Sequence, residues 1–308
     1  MDILLNIGLF IISLAVLLKA SDWFIDSAEQ IGLSAGISPF IIGVTIVAFG
    51  TSLPELATSI AAVLGGESEI VVGTVIGSNI TNIALVLGLV AVFVGKIDLE
   101  YNIWHIDIPY LWGSAFMLWF VLRDLNISLF EGLLFLGGIA IFLAYSIKSD
   151  EKGSMIETRP NWRTYFMLLL GGVLVWLASD YTILAIRRLS AIAGIDPGVI
   201  ALSAVAIGTS LPEVIVSLTA AQKGKSSIAV GNVLGSNIFN TYIVISIPSF
   251  VGKIAVPKTI LEFYLPLMVV MTILFGVMAN NRKITRWEGA LLLLFYLLFA
   301  SEIFAGTR

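Results

Sequence analysis

The chain has no cysteine and one histidine, His105. Without thiols there is no disulfide and no thiolate metal site. One imidazole cannot build a multi-histidine zinc or copper centre. Charge is scarce as well. Asp, Glu, Lys and Arg make up 12% of the 308 residues, against roughly 25% in a soluble domain. The net charge of −4 gives no hint of a nucleic-acid partner. No basic run precedes the first apolar stretch after Met1-Asp2, so the start reads as a membrane span and not as a cleaved signal peptide. What is abundant is hydrocarbon: 58% of residues are hydrophobic, and the mean hydropathy is +1.00. Most of the chain is therefore solvated by lipid or buried in a bundle. A metal bound here must be a hard cation on oxygen, such as Na⁺, K⁺, Mg²⁺ or Ca²⁺.

A helix needs about 20 apolar residues to cross a bilayer. Such runs predict an all-α membrane protein with spans near 3–20, 38–64, 68–95, 103–122, 128–147, 164–186, 197–221, 227–252, 259–280 and 287–305. Connections are short except for the polar, charged stretch 148–162. That stretch divides the chain into a first five-helix unit, 1–147, and a second, 163–308, within one membrane domain. With the N-terminus outside, eleven Lys and Arg fall in cytoplasmic loops and six outside. The positive-inside rule then puts the N-terminus on the extracellular side of a plasma membrane and the linker in the cytoplasm.

The two units repeat one another. Residues 46–55 read IVAFGTSLPE and residues 204–213 read AVAIGTSLPE, identical at eight of ten positions. Residues 73–82 read GTVIGSNITN and 231–240 read GNVLGSNIFN, identical at seven of ten. Both pairs sit at one offset, 158 residues, which also matches Ser21-Asp22 with Ser179-Asp180, Gly36 with Gly194 and Pro39 with Pro197. The offset covers five crossings, so the second copy is expected upside down relative to the first. Inverted repeats bring equivalent segments together at the bilayer midplane.

These segments concentrate oxygen. Pro54 has no N–H and clashes with the carbonyl of Gly50, so span 2 is expected to be discontinuous there, and span 7 at Gly208 and Pro212. Ala48, Thr51, Ser52 and Glu55 fall at i, i+3, i+4 and i+7, one helical face. Ala206, Thr209, Ser210 and Glu213 copy them. Ser78 with Asn82 and Ser236 with Asn240 are i, i+4 pairs in spans 3 and 8. Two carboxylates, several hydroxyls, two amides and freed carbonyls make a hard-cation ligand set. A charge at the bilayer centre costs roughly 2.5–3.5 kcal/mol or more. No Lys or Arg lies in spans 2, 3, 7 or 8 to offset Glu55 or Glu213. The small polar residues could instead bind helices together. Gly73, Gly77, Gly231 and Gly235 read as close-packing positions. His105 and Asp107, beside Trp104 and Tyr110, read as an interfacial belt. Asp22 and Asp180 read as helix-end residues, either solvated or attracting ions. Arg187 and Arg188 read as loop charges.

The duplicated GTSLPE and GSNI-x-N segments resemble the two alpha repeats of the cation/calcium exchanger superfamily, in its sodium/calcium exchanger branch. The resemblance covers both repeats, their spacing and the five-plus-five plan. It implies ten helices in two inverted five-helix repeats, with discontinuous helices in the core and ion sites between spans 2, 3, 7 and 8. The ligands it implies are the carbonyls of Ala48 and Ala206 with Thr51, Ser52, Glu55, Ser78, Asn82, Thr209, Ser210, Glu213, Ser236 and Asn240. It further implies an electrogenic, monomeric antiporter with no cofactor. That antiporter would exchange about three Na⁺ for one Ca²⁺ as spans 1 and 6 slide across the bundle. Potassium-dependent relatives carry an aspartate where this chain has Asn240, so K⁺-independence is implied. Ser246, at the position of Gly88, and Pro248 are departures within span 8. A proton-coupled cation antiporter or a cation channel would use the same carboxylates. An intramembrane aspartyl hydrolase fits poorly, because spans 2, 3, 7 and 8 hold no Asp.

Overall fold

In a computed structural model of the protein the described residues are 2–99, 103–104, 107–148, 160–192 and 210–305. They form helices α1 (Asp2–Ser34), α2 (Pro39–Ile42), α3 (Ala48–Leu64), α4 (Glu69–Thr81), α5 (Gly88–Val94), α6 (Asp107–Val121) and α7 (Leu129–Lys148). They continue with α8 (Trp162–Ile192), α9 (Leu211–Gln222), α10 (Ser226–Phe239), α11 (Ile245–Val251), α12 (Leu265–Ala279) and α13 (Arg286–Ala305). Seven helical stretches among the described residues are long and apolar enough to cross a membrane: 3–34, 39–64, 69–94, 129–146, 162–189, 226–251 and 260–279. The remaining expected spans correspond to α6, α9 and α13. The linker residues 149–159 lie outside the described residues.

Three of the helices begin on side-chain caps that their sequences provide. Ser38 accepts the Ile41 N–H at 3.4 Å, with Pro39 in the first turn of α2. At α7 the Ser128 N–H donates to Glu131 Oε2 at 2.8 Å while the Glu131 N–H donates to Ser128 Oγ at 3.3 Å. Thr285 and Glu288 make the same reciprocal pair at α13, at 2.7 and 3.4 Å. In lipid such partners replace the water that would otherwise satisfy the first N–H groups.

Helices α1 and α8 are repeat equivalents, and they pack against each other in opposite directions. Thr182 Oγ1 donates to Ser13 Oγ at 2.9 Å, and Thr164 Oγ1 donates to Gln30 Oε1 at 3.1 Å. Early residues of one helix thus meet late residues of the other. Both helices are longer than the spans expected for them. Asp22 and Asp180 therefore lie within helices and not at their ends, and Arg187 and Arg188 lie on α8 and not in a loop. A helix end reads as polar punctuation, but here the polar residues simply continue the helix past the apolar stretch.

Two short ribbons obey the same offset. Strand β1 (Lys96–Asp98) pairs antiparallel with β4 (Lys283–Thr285), and β2 (Asn126–Ile127) with β3 (Ile254–Ala255). Shifting Lys96↔Thr285 and Ile97↔Ile284 by 158 residues, up on one strand and down on the other, returns Ile127↔Ile254 and Asn126↔Ala255. The register itself is pseudo-symmetric.

The core helices are distorted, though not where proline suggested. Ala48–Leu64 runs as an α-helix through Gly50 and Pro54. The irregular turn precedes it, as a π-helical segment at Gly43–Val47. Further π-helical segments occupy Asn82–Leu87 and Asn240–Val244, at repeat-equivalent positions, and Ile260–Tyr264. Proline costs one hydrogen bond, which a packed helix tolerates, whereas a π turn carries an inserted residue and leaves carbonyls poorly paired. Hydroxyls take up some of these. Thr45 Oγ1 donates to the Ile41 carbonyl at 2.6 Å, and Ser246 Oγ to the Tyr242 carbonyl at 2.5 Å. Ser246 thereby acquires a structural role that Gly88 cannot share. In the second repeat Pro212 stands in the first turn of α9, where its missing N–H costs nothing. Gly208 lies outside the described residues.

Candidate ion-binding centre

The buried face of α3 comprises Ala48, Thr51, Ser52, Glu55 and Ser59, the expected stripe extended by one turn. A close helix–helix approach sets its position. A Cβ on Gly231 would strike the Phe40 carbonyl, and one on Gly235 the Val44 carbonyl. These glycines let α10 lie directly on the 39–48 segment. A Cβ on Gly73 would meet Ile260 at 3.9 Å and one on Gly77 Phe299 at 4.0 Å, ordinary contacts, so of these four glycines only the second-repeat pair is required by a close approach.

This approach brings the two repeats' polar residues together. Ser52 Oγ donates to Glu213 Oε1 at 3.5 Å, across the repeats. Ser78 Oγ donates to Glu55 Oε1 at 3.4 Å. Thr51 Oγ1 lies 3.4 Å from Ser236 Oγ and 3.1 Å from Asn232 Oδ1. Ser52, one helical turn before Glu55, thus brings Glu213 to the face of α3 that carries Glu55. Glu55, Glu213, Ser210, Ser236, Asn82 and Asn240 are each 0% exposed. Among the described residues no Lys or Arg pairs with either glutamate; the ion pairs found all lie elsewhere.

The centre is rich in unused acceptors. Among the described residues Glu55 Oε2, Glu213 Oε2, Ser210 Oγ and the Oδ1 atoms of Asn82 and Asn240 accept no hydrogen bond, and the two Nδ2 donors are likewise without a partner. Each unsatisfied buried polar group costs about 1–3 kcal/mol, and more when charged. A shared cation would satisfy several at once, and the donor set suits a hard one. Ala206 and Thr209 lie outside the described residues, as does His105. Asp107 is fully buried at the start of α6, so it is not part of an exposed interfacial belt. Asn232 and Ser217, both buried here, were not singled out by the motifs. Ser217 carried a signal, as the repeat equivalent of Ser59 one turn past Glu213, whereas Asn232 is one of three mismatches in its segment, opposite Thr74. A separate cavity of about 790 Å³ between α1, α3, α8 and α10 is lined by residues such as Phe49, Leu53, Trp176 and Phe239, with no charged side chain. It is distinct from the polar centre.

The whole chain is similar to known transporters. The family model described as sodium/calcium exchanger protein matches residues 5–148 and 163–304. The chain is 30% identical to the sodium/calcium exchanger MaX1 of Methanosarcina acetivorans, over 98% of this chain and 99% of that protein. It is 31% identical to a putative antiporter, CaxA, of Alkalimonas amylolytica, over 94% of this chain and 98% of the relative. The fold matches a solved structure of the sodium-calcium exchanger NCX_Mj with a TM-score of 0.85 at 30% identity, covering 98% of this chain and 99% of that one. With two motif-bearing halves matched in full and a polar centre between them, the chain belongs to the sodium/calcium exchanger family of multi-pass membrane transporters.

Proposed function

We propose that the chain is an electrogenic antiporter exchanging about three Na⁺ for one Ca²⁺ by alternating access, independently of K⁺. The reading rests on one observation above all. Two fully buried carboxylates from different repeats meet among hydroxyls and amides, each with an unpartnered oxygen and no basic partner among the described residues. Ionised together they carry charge −2, and closing an apolar gate over that charge would cost several kcal/mol. One Ca²⁺ or two Na⁺ neutralise it. Loaded states then change sides and the empty state does not, which makes exchange obligatory. A third Na⁺ on neutral oxygens moves one net charge, worth about 2.3 kcal/mol per 100 mV.

In this reading the ligands are Glu55, Glu213, Thr51, Ser52, Thr209, Ser210, Ser78, Ser236, Asn82 and Asn240 with the carbonyls of Ala48 and Ala206. The scaffold is ten helices in two inverted repeats, 1–147 and 163–308, joined by a cytoplasmic linker at 148–162, with the N-terminus outside. The antiparallel packing of α1 on α8 and the pseudo-symmetric ribbons support the inversion. Counted with ten spans, each ribbon joins loops on a single side of the membrane, and the two ribbons lie on opposite sides.

The test is ⁴⁵Ca uptake into proteoliposomes under Na⁺, K⁺ and H⁺ gradients imposed one at a time. Uptake follows the Na⁺ gradient and builds a membrane potential, and Glu55→Gln or Glu213→Gln abolishes it. Near-normal uptake by either variant refutes the assignment. Uptake driven by a pH gradient without Na⁺ would instead show the carboxylates carrying protons.

A further inference from the structure

Asn232 is fully buried next to the ion centre but is not one of its proposed ligands. It stands where the first repeat has Thr74, so the pseudo-symmetry of the centre breaks at this side chain. Its Oδ1 accepts the Thr51 hydroxyl at 3.1 Å, and its Nδ2 donates to Ser217 Oγ at 2.9 Å. The amide is therefore engaged at both ends, bridging α3 to α9 through α10.

Thr51 has one hydroxyl proton; besides the Glu213 carboxylate, with which it also interacts, three acceptors lie within hydrogen-bond distance. These are Asn232 Oδ1 at 3.1 Å, the Ala48 carbonyl at 3.3 Å and Ser236 Oγ at 3.4 Å. The choice matters. A proton given to Ala48, Ser236 or Glu213 would occupy an oxygen that the cation needs. A proton given to Asn232 leaves the Ala48 carbonyl and Ser236 Oγ free and turns the Thr51 lone pairs toward the ion. Asn232 Oδ1 is the nearest of the three.

We infer that Asn232 is a positioning residue: it takes the Thr51 proton, with Ser217 anchoring its amide, and so readies a Na⁺ subsite on the neutral oxygens of Ala48, Thr51 and Ser236. This rests on the exchange reading above and deepens it. Three neutral oxygens suit a monovalent ion. Ca²⁺ draws mainly on carboxylates, here Glu55 and Glu213. Loss of Asn232 therefore weighs on Na⁺ more than on Ca²⁺.

The experiment compares wild type, Asn232→Ala, Asn232→Asp and Asn232→Thr in proteoliposomes. It measures Na⁺-driven ⁴⁵Ca uptake and, separately, Ca²⁺/Ca²⁺ exchange without Na⁺. Asn232→Ala raises the Na⁺ concentration for half-maximal uptake about five-fold, the worth of one hydrogen bond, and moves half-saturating Ca²⁺ by less than about two-fold. Asn232→Asp keeps the acceptor oxygen and holds the Na⁺ dependence at or below the wild-type value. Asn232→Thr, the first repeat's residue, is too short to reach and behaves like the alanine variant. Should Asn232→Ala fail to insert, the Asp and Thr variants carry the comparison alone. Equal Na⁺ dependence in these two, or equal shifts for Na⁺ and Ca²⁺, overturns the inference. A wild type without Na⁺-dependent flux would overturn the exchange reading instead.

Discussion

Asn82 and Asn240 occupy equivalent places, each opening a π-helical segment, each fully buried and each with both amide ends unpartnered. A bound cation would satisfy the two amide oxygens, at about 1–3 kcal/mol apiece, though not the two Nδ2 donors. The siting of both residues on widened turns, which recur at functional positions, fits coordination better than packing. Replacing Asn240 with Asp adds a third carboxylate where the amide oxygen stands. Because ligand charge tunes Ca²⁺ affinity, Asn240→Asp lowers half-saturating Ca²⁺ by roughly tenfold in ⁴⁵Ca uptake. An unchanged value would mean that this side chain does not face the ion. The stripe from Ala48 to Glu55 was legible from its helical spacing, because one helix places it. The role of Asn232 was not, because its partners Thr51 and Ser217 arrive from other helices.

Between helices, the α1–α8 pair is the most extensive contact, and its direction follows from the hydrogen bonds Ser13–Thr182 and Gln30–Thr164. A Cβ on Gly171 would strike the Phe24 backbone, so the two helices also approach closely between those hydrogen bonds. The chain has no native cysteine, so cross-links can be placed cleanly. A Ser13→Cys/Thr182→Cys pair, whose side chains already meet, forms a disulfide on mild oxidation, since bridgeable Cβ atoms lie about 3.5–4.5 Å apart. If α1 and α8 move together during transport, the cross-linked protein keeps at least about half its ⁴⁵Ca uptake, whereas a scissoring motion would be blocked. Loss of uptake on oxidation, restored by reductant, would rule out the joint movement. The extension of α1 to Ser34 was hidden from the sequence. Hydropathy marks where lipid ends, but a helix continues as long as its backbone bonds are satisfied.

Among the described residues, one end of the bundle carries an interhelical network of ion pairs and the other carries none. Lys223 Nζ lies 3.0 Å from Asp22 and 2.8 Å from Asp26. Lys225 Nζ lies 2.7 Å from both Asp26 and Glu29. Partial burial works against the Lys225 charge, but hydrogen bonds to Asp26 and Glu29 outweigh it and raise its pKa. The repeat-equivalent positions of the two lysines are Gly65 and Glu67, and those of Asp26 and Glu29 are Leu184 and Arg187, so the other end cannot form this network. Exposed ion pairs contribute only about 0–1 kcal/mol each, though networks do better. Lys223→Ala/Lys225→Ala lowers the thermal midpoint by a few degrees at low ionic strength, roughly 2–4 °C per kcal/mol for a chain of this class. The difference from wild type shrinks as salt rises, since screening weakens the pairs first. Equal midpoints at low salt would show that the network does not hold α1 to the α9–α10 turn.

Composition and the 158-residue offset were enough to read a membrane protein, its duplication and its two central carboxylates. A charge in hydrocarbon is so costly that its presence there is informative without coordinates. Packing decided the rest: that the π-helical turn falls at Gly43–Val47 and the α-helix continues through Pro54, that Gly231 and Gly235 admit the neighbouring helix, and that Asn232 receives the Thr51 proton. Those outcomes depend on which surfaces meet between segments some 190 residues apart, and no local spacing encodes them.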